Sequence, residues 1–371
     1  MSGWSRGLSA GRMSAWRVHA YGRGELRLEA ARVPALRTPA DVLVRVRAAS
    51  LNPLDVAMMD GYGARIFNTL RKLEGSDVEF PLVLGRDFVG EVEIAGAHSR
   101  LRRGDRVWGV VPPHRQGAHA EYVLVRDSSA GPAPRALSDL QAGGALYAAL
   151  TACSALRVAG LPPGAPPRRR APRVLLLGLG GVGHAALQLL VYSGAQVVVG
   201  CSDDLRETAT SLGAVAALDR NASDYDLSSL SDRYEVILDC AGLGGAEAGA
   251  RRWRFSRYVT LSSPLLREAD ARGVLAGAAR AAAELALQSA RAAPAAPAAC
   301  LPHVRWAYFL PLADDIELLR RLVERAYAWR EAAAAFERAR EGRARGKLLL
   351  DWRRGEGAIN DLLYMRVSFE T

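Results

Sequence analysis

Gly178-Leu179-Gly180-Gly181-Val182-Gly183 is the segment whose residue types and spacing point most directly to chemistry. It follows the apolar run Val174 to Leu177 and precedes an apolar stretch from His184 to Tyr192, so it reads as a turn from strand to helix. In such a turn Gly178 permits the tight bend, Gly180 lets backbone approach a pyrophosphate, and Gly183 lets the helix pack on its strand. The free N–H groups at the helix start, among them those of Gly181 and Val182, attract phosphate together with the helix dipole. The segment therefore reads as a dinucleotide site. A glycine-rich turn without ligand is the alternative, and the regular strand that comes next speaks against it.

That next strand ends in Gly200-Cys201-Ser202. An NAD site usually places a carboxylate there, about 20 residues beyond the glycines. Ser202 removes the charge that would repel a 2′-phosphate, and Arg206 and Arg220 are close enough in sequence to supply positive charge. This favours NADPH over NADH. NADH stays open because Asp203 or Asp204 can reach a ribose hydroxyl, and Arg206 reads equally well as a solvated helix residue. Ligands collect at the carboxyl ends of parallel strands. Cys240, Leu261 and the Phe309 region occupy such ends. Cys240 reads as a wall beside a nicotinamide and not as a nucleophile, since no neighbouring base or cation would lower its pKa.

Elements of two kinds must position these groups. From Ala15 to Leu137, short segments such as Val42–Val46, Phe88–Ile94, Arg106–Val111 and Ala120–Val125 are separated by Gly104-Asp105 and Pro112-Pro113, which predicts a β-rich domain. From Ser138 a helix to Ala159 is followed by strands at Val174–Leu177, Gln196–Val199, Val236–Leu238 and Tyr258–Leu261, with helices between. Trp306–Leu310 is expected to be a sixth strand, Leu322–Trp329 another, and Lys347–Asp351 the last. The fold class is thus α/β: a Rossmann doubly wound parallel sheet over residues 138–321, plus a β-rich catalytic domain over 15–137 and 322–352. Residues 353–371 form a tail with no recognisable period.

The 371 residues are enough for two cores, and 50% hydrophobic with 24% charged residues is ordinary globular composition. No apolar run is long enough to cross a bilayer. The net charge is +10, carried almost wholly by scattered arginines. Without a basic stripe or interleaved aromatics, no nucleic-acid binding is expected. Cys153, Cys201, Cys240 and Cys300 form no CxxC pair, and the six histidines no cluster, so neither a disulfide framework nor a zinc knuckle is indicated. Residues 1–14 carry arginine and serine and no acid. They resemble a mitochondrial transit peptide, and an unstructured leader or a start at Met13 reads as well.

The glycine loop, the flanking β domain and the late sixth strand resemble the medium-chain dehydrogenase/reductase superfamily. Asn52-Pro53-Leu54-Asp55 with Gly61-Tyr62, and Phe80-Pro81-Leu82-Val83-Leu84-Gly85-Arg86-Asp87, look like its quinone oxidoreductase branch. Val110-Val111-Pro112-Pro113, Leu150-Thr151-Ala152, Arg305-Trp306-Ala307 and Ala344-Arg345-Gly346-Lys347 are similar to the mitochondrial reticulon-interacting oxidoreductases within it. The resemblance implies a GroES-like catalytic domain and no zinc, because Arg86 stands where zinc-dependent relatives have a histidine ligand. It also implies a small-molecule quinone as acceptor, a role in ubiquinone biosynthesis, and a mitochondrial location in the matrix or on a membrane. Reticulon-family and ubiquinone-biosynthesis proteins are the implied partners. The implied cofactor positions are Gly180, Gly181, Val182, Ser202, Arg220, Cys240, Leu261, Ala307, Phe309, Ala344 and Arg345. Arg220 replaces a family tyrosine and Cys240 a family asparagine. Asn52, Asp55, Tyr62 and Thr151 are the expected site lining. Each has a plain alternative: a turn for Asn52, a helix cap for Asp55 and a packed ring for Tyr62. A non-catalytic nucleotide-binding scaffold and an enoyl reductase remain as rival functions on the same fold.

Overall fold

The computed structural model describes residues 11–22, 26–75, 79–166, 168–222, 233–251, 253–292, 303–324 and 348–351. In chain order the elements are β1 (Arg12–Val18), β2 (Arg27–Arg32), β3 (Asp41–Leu51), α1 (Pro53–Met59), α2 (Ala64–Leu73), β4 (Leu82–Val83), β5 (Asp87–Ala95), β6 (Arg106–Val110), β7 (Tyr122–Arg126) and β8 (Ala130–Pro132). The long helix α3 (Asp139–Val158) leads to β9 (Arg173–Leu177), α4 (Gly181–Tyr192), β10 (Gln196–Cys201), α5 (Arg206–Ser211) and β11 (Ala216–Asp219). Then come β12 (Arg233–Asp239), α6 (Glu247–Ala250), β13 (Arg254–Thr260), α7 (Leu265–Arg272), α8 (Val274–Ala292), β14 (His303–Trp306), α9 (Ala313–Glu324) and β15 (Leu348–Asp351).

The chain divides into two compact units, with breaks after Tyr147 and after Pro311. The sequence placed these boundaries at 137/138 and 321/322. The contacts instead give the first turns of α3, and all of α9, to the first unit.

The first unit is built on an antiparallel sheet in the order β15-β3-β5-β6-β8, with β7 also pairing β3. The alternating residues of β3 explain its central place: Val42, Val44 and Val46 face a core that includes Phe88, Val92, Val107 and Val125. A small sheet, β2-β1-β4, lies in the same unit. Here β1 begins at Arg12, before the Ala15 at which the β-rich domain is expected to start. Met13 and Ala15 are buried against Val83 and Ala120, so residues 12–14 form part of a strand.

The second unit is a parallel sheet in the order β11-β10-β9-β12-β13-β14. Renumbered within the unit this is the 3-2-1-4-5-6 order of a doubly wound dinucleotide fold, with its reversal at β9 and β12. The continuous apolar character of Val174–Leu177 and Val236–Leu238 follows from burial on both faces.

Two expected strands are corrected. β14 spans His303–Trp306, so 307–310 is the loop after the strand and not the strand itself. Leu322 to Glu324 is the last turn of α9, where apolar residues at helical spacing bury Ile316, Leu319, Leu322 and Val323; residues 325–329 lie outside those described. Lys347 is likewise outside, while β15 pairs antiparallel with β3 from Leu348↔Leu51 to Asp351↔Ala48. Residues 1–10 of the expected leader 1–14, and the tail 353–371, also lie outside. Among the described residues no helix is long and apolar enough to cross a membrane.

Candidate functional site

The glycine loop joins the carboxyl end of β9 to α4. Gly178 has φ +88°, and a Cβ there would lie 2.9 Å from both the backbone N and the Cβ of Ala241. A Cβ on Gly183 would lie 2.1 Å from the carbonyl oxygen of Gly178. Both positions are closed by backbone, which only glycine tolerates. Gly180 differs. It is exposed, it is the N-cap of α4, and a Cβ there would meet nothing within 4 Å. No side chain caps the helix. The first turn of α4 therefore begins uncapped beside the open space at Gly180, a setting that suits a diphosphate. The loop fits the phosphates of a dinucleotide.

A residue that the sequence reading passed over secures this loop. His184 is buried in the first turn of α4, and its Nδ1 lies 2.9 Å from the Leu179 carbonyl oxygen. A carbonyl only accepts, so Nδ1 carries the proton and donates. Burial holds the imidazole below its ordinary pKa, and the carbonyls of Gly180 and Leu179 pull it partly back. The histidine is thus a neutral clamp on the loop. Its signal in sequence was only its place directly after Gly183.

At the end of β10, Ser202 is half-buried and initiates the short turn that precedes α5. Arg206 donates from Nε to the Ala217 carbonyl oxygen at 3.1 Å and from Nη1 to Asp203 at 3.1 Å. Arg220 is exposed and its N–H donates to the Cys201 carbonyl oxygen at 2.8 Å. Burial pushes the Cys201 thiol up to about 11, while Arg206 and Arg220 both act to lower it. Arg206 is thus paired with Asp203, and Arg220 is exposed beside the same strand end.

Cys240, Leu261, Ala307 and Phe309 lie just past the ends of β12, β13 and β14. Their backbones continue the sheet: Cys240 N–H donates to the Leu177 carbonyl at 2.9 Å and Ala307 N–H to that of Thr260 at 2.9 Å. Burial, and then Asp239, push the Cys240 thiol upward, so it stays protonated. Ala344 and Arg345 lie outside the described residues.

In the first unit, Asn52 caps α1 and Asp55 completes the capping box, its Oδ2 accepting from Asn52 N–H at 2.8 Å. The Oδ1 of Asp55 accepts from Gly85 N–H at 2.8 Å and lies 3.4 Å from Arg86 Nε. Asn52 Nδ2 donates to Ser50 Oγ at 3.2 Å and to Asp87 Oδ1 at 3.1 Å. Asp87 also accepts from the Ser50 hydroxyl and, at 3.3 Å, from Tyr147 N–H. Asn52 and Asp55 are 3% and 1% exposed, and these bonds tie both into a buried polar frame. Tyr62 is half-buried in the turn after α1, and Thr151 is buried on the part of α3 that belongs to the second unit.

Arg86 is the centre of that frame and is fully buried. Nη1 donates to the carbonyls of Pro112 and Arg115, each at 3.1 Å, and Nη2 to that of Val83 at 3.0 Å. Burial pushes the guanidinium downward and Asp55 raises it again. His119 donates from Nε2 to the Ser50 carbonyl at 3.0 Å. A zinc ion does not fit here, because a cationic side chain fills the position and has no lone pair to offer. Among the described residues no group of three or more His, Cys, Asp or Glu can hold a metal ion.

Two family profiles match the chain: the alcohol dehydrogenase GroES-like domain over residues 38–135, and the zinc-binding dehydrogenase over 212–350. A mitochondrial NAD(P)H oxidoreductase of Drosophila melanogaster, RTN4IP1, is 38% identical over 370 residues, covering 94% of this chain and 88% of its own. The mitochondrial reticulon-4-interacting protein 1 of Caenorhabditis elegans is 32% identical over 365 residues, covering 92% and 95%. Among solved structures, the quinone oxidoreductase of Coxiella burnetii superposes with a TM-score of 0.68 at 24% identity, over 92% of this chain and 100% of its own, a likeness of fold.

Proposed function

We propose that this chain, which belongs to the medium-chain dehydrogenase/reductase superfamily beside the mitochondrial reticulon-interacting NAD(P)H oxidoreductases, takes hydride from NADPH and passes it to a quinone. The observation that carries the reading is the contrast within the glycine loop. Gly178 and Gly183 are closed by backbone, while Gly180 opens the helix start to solvent. That arrangement leaves room for a diphosphate at the uncapped start of α4.

The bound nicotinamide supplies the redox chemistry, and the protein's part is to bind and orient it. In this reading Gly180, Gly181, Val182 and Gly183 hold the diphosphate through backbone N–H groups. Ser202 leaves room for a 2′-phosphate, and Arg220 offers it a charge. Arg220, exposed at this strand end, supports NADPH over NADH, while Arg206 is already paired with Asp203. Cys240, Leu261, Ala307 and Phe309 line the nicotinamide end, and Tyr62 and Thr151 are assigned to acceptor contact. No step runs through a metal ion. A mitochondrial location, a part in ubiquinone biosynthesis and a reticulon-family partner are carried over from the relatives' names and the sequence resemblance.

The test is a titration of the purified full chain with NADPH and NADH, followed by nicotinamide fluorescence and then by nucleotide oxidation with a short-chain ubiquinone or an enoyl thioester. The expected result is tighter binding of NADPH and oxidation that depends on the quinone. Oxidation only with the enoyl thioester would replace the acceptor. Binding without turnover on either would overturn the enzymatic reading in favour of a scaffold.

A further inference from the structure

Asp239 ends β12 and is 0% exposed. A buried carboxylate is retained only where hydrogen bonds replace its water. Here Oδ1 accepts from the N–H groups of Ala241 at 3.0 Å and Leu243 at 3.2 Å, and Oδ2 from Gly244 N–H at 2.8 Å and the Thr260 hydroxyl at 2.7 Å. Thr260 ends β13 and is equally buried. The same Oγ1 that donates to Asp239 accepts from Ser262 N–H at 3.0 Å. One carboxylate and one hydroxyl thus fix the loops that leave two adjacent strands. The first of these loops, 240–244, also closes the space beside Gly178, where a Cβ would meet Ala241.

We infer that Asp239 and Thr260 are positioning residues of the nucleotide site. They hold Cys240 and Leu261 at the separation that the nicotinamide end requires, and touch neither the phosphates nor the adenosine. The inference rests on the nucleotide-binding reading above. It separates the site into two halves: a diphosphate and adenosine half built on Gly180 and Ser202, and a nicotinamide half tuned by a buried polar pair. Charge-assisted hydrogen bonds of this kind differ from neutral ones in that losing one leaves a carboxylate oxygen short of a donor.

Thr260→Val keeps the side-chain shape and removes both bonds, while Thr260→Ser keeps both. Affinity for NADPH and for 2′-phospho-ADP-ribose, which lacks the nicotinamide, is measured on the full chain, with thermal unfolding as a control. Thr260→Val is expected to weaken NADPH by about tenfold or more. The fragment should change by less than about twofold, and Thr260→Ser should restore NADPH binding. Unchanged NADPH affinity in folded Thr260→Val, or equal weakening of both ligands, overturns the inference and leaves the nucleotide reading standing. Failure of the unaltered chain to bind either ligand overturns both. If Thr260→Val does not fold, Asp239→Asn, which turns an acceptor into a donor against the same loop, is held to the same split.

Discussion

The glycines of the loop are alike in sequence and unlike in surroundings, and the difference is measurable. Gly180 has φ −80° and ψ −168°, which alanine adopts freely, and its Cβ direction is empty. Gly180→Ala should leave thermal stability unchanged and weaken NADPH by about tenfold, because the methyl group occupies the phosphate's place. Gly183→Ala should weaken binding and also destabilise the fold by about 1–3 kcal/mol, since its Cβ is driven into the Gly178 carbonyl. Equal loss of stability in both would mean that the space at Gly180 is not a ligand's. The fingerprint was legible because its meaning lies in spacing along the chain. His184, Asp239 and Arg86 were not. Asp239 depends on Thr260, and Arg86 on Asp55, Pro112 and Arg115, partners that only the fold brings near.

Among the elements, period and length carried most of the information. The strands β3, β5, β6, β9, β10 and β12 overlap the segments expected from alternation or from short apolar runs. α1 and α2 went unread because their buried faces are narrow, Asp55 and Met58 in one and Phe67 and Arg71 in the other. Trp306–Leu310 was taken for a strand because its residues are apolar, yet Leu310 is 66% exposed and β14 ends at Trp306. Gly85-Arg86-Asp87 was read for a family resemblance and for the metal it excludes. The structure gives Arg86 a further task, joining β5, the capping box of α1 and the segment 112–115 through one guanidinium. Gly117 admits that group, for a Cβ there would lie 2.3 Å from Arg86 Nη2. Arg86→Met should therefore lower stability by about 3–5 kcal/mol in urea unfolding, by leaving the buried Asp55 carboxylate without its countercharge and three carbonyls short of one donor each. A loss below about 1 kcal/mol would show that the network is replaceable by apolar packing.

At the scale of the molecule, each unit keeps a neutral histidine where protonation has nowhere to go. His119 in the first and His184 in the second are both almost fully buried, and burial lowers the pKa of each. The unfolded chain holds such imidazoles near their ordinary value of about 6.5. Below that pH the unfolded state binds more protons than the folded one, so stability falls as pH falls. The contribution is complete above about pH 6.5 and is lost progressively toward the lowered folded values, at no more than about 1.4 kcal/mol per pH unit for each histidine. His114 shifts in the same direction, through burial against the pull of Glu74. The lowered carboxylates Asp41, Glu74 and Glu317 act in a lower window, beginning below about pH 4.5. Urea midpoints at about pH 7.5 and 5.5 should therefore differ, with the acid sample weaker. His184→Asn, whose Nδ2 can donate to the Leu179 carbonyl in place of Nδ1, should reduce that difference while the loop still binds nucleotide. A slope that His184→Asn leaves untouched would place the proton uptake elsewhere, with His119 as the next position to replace.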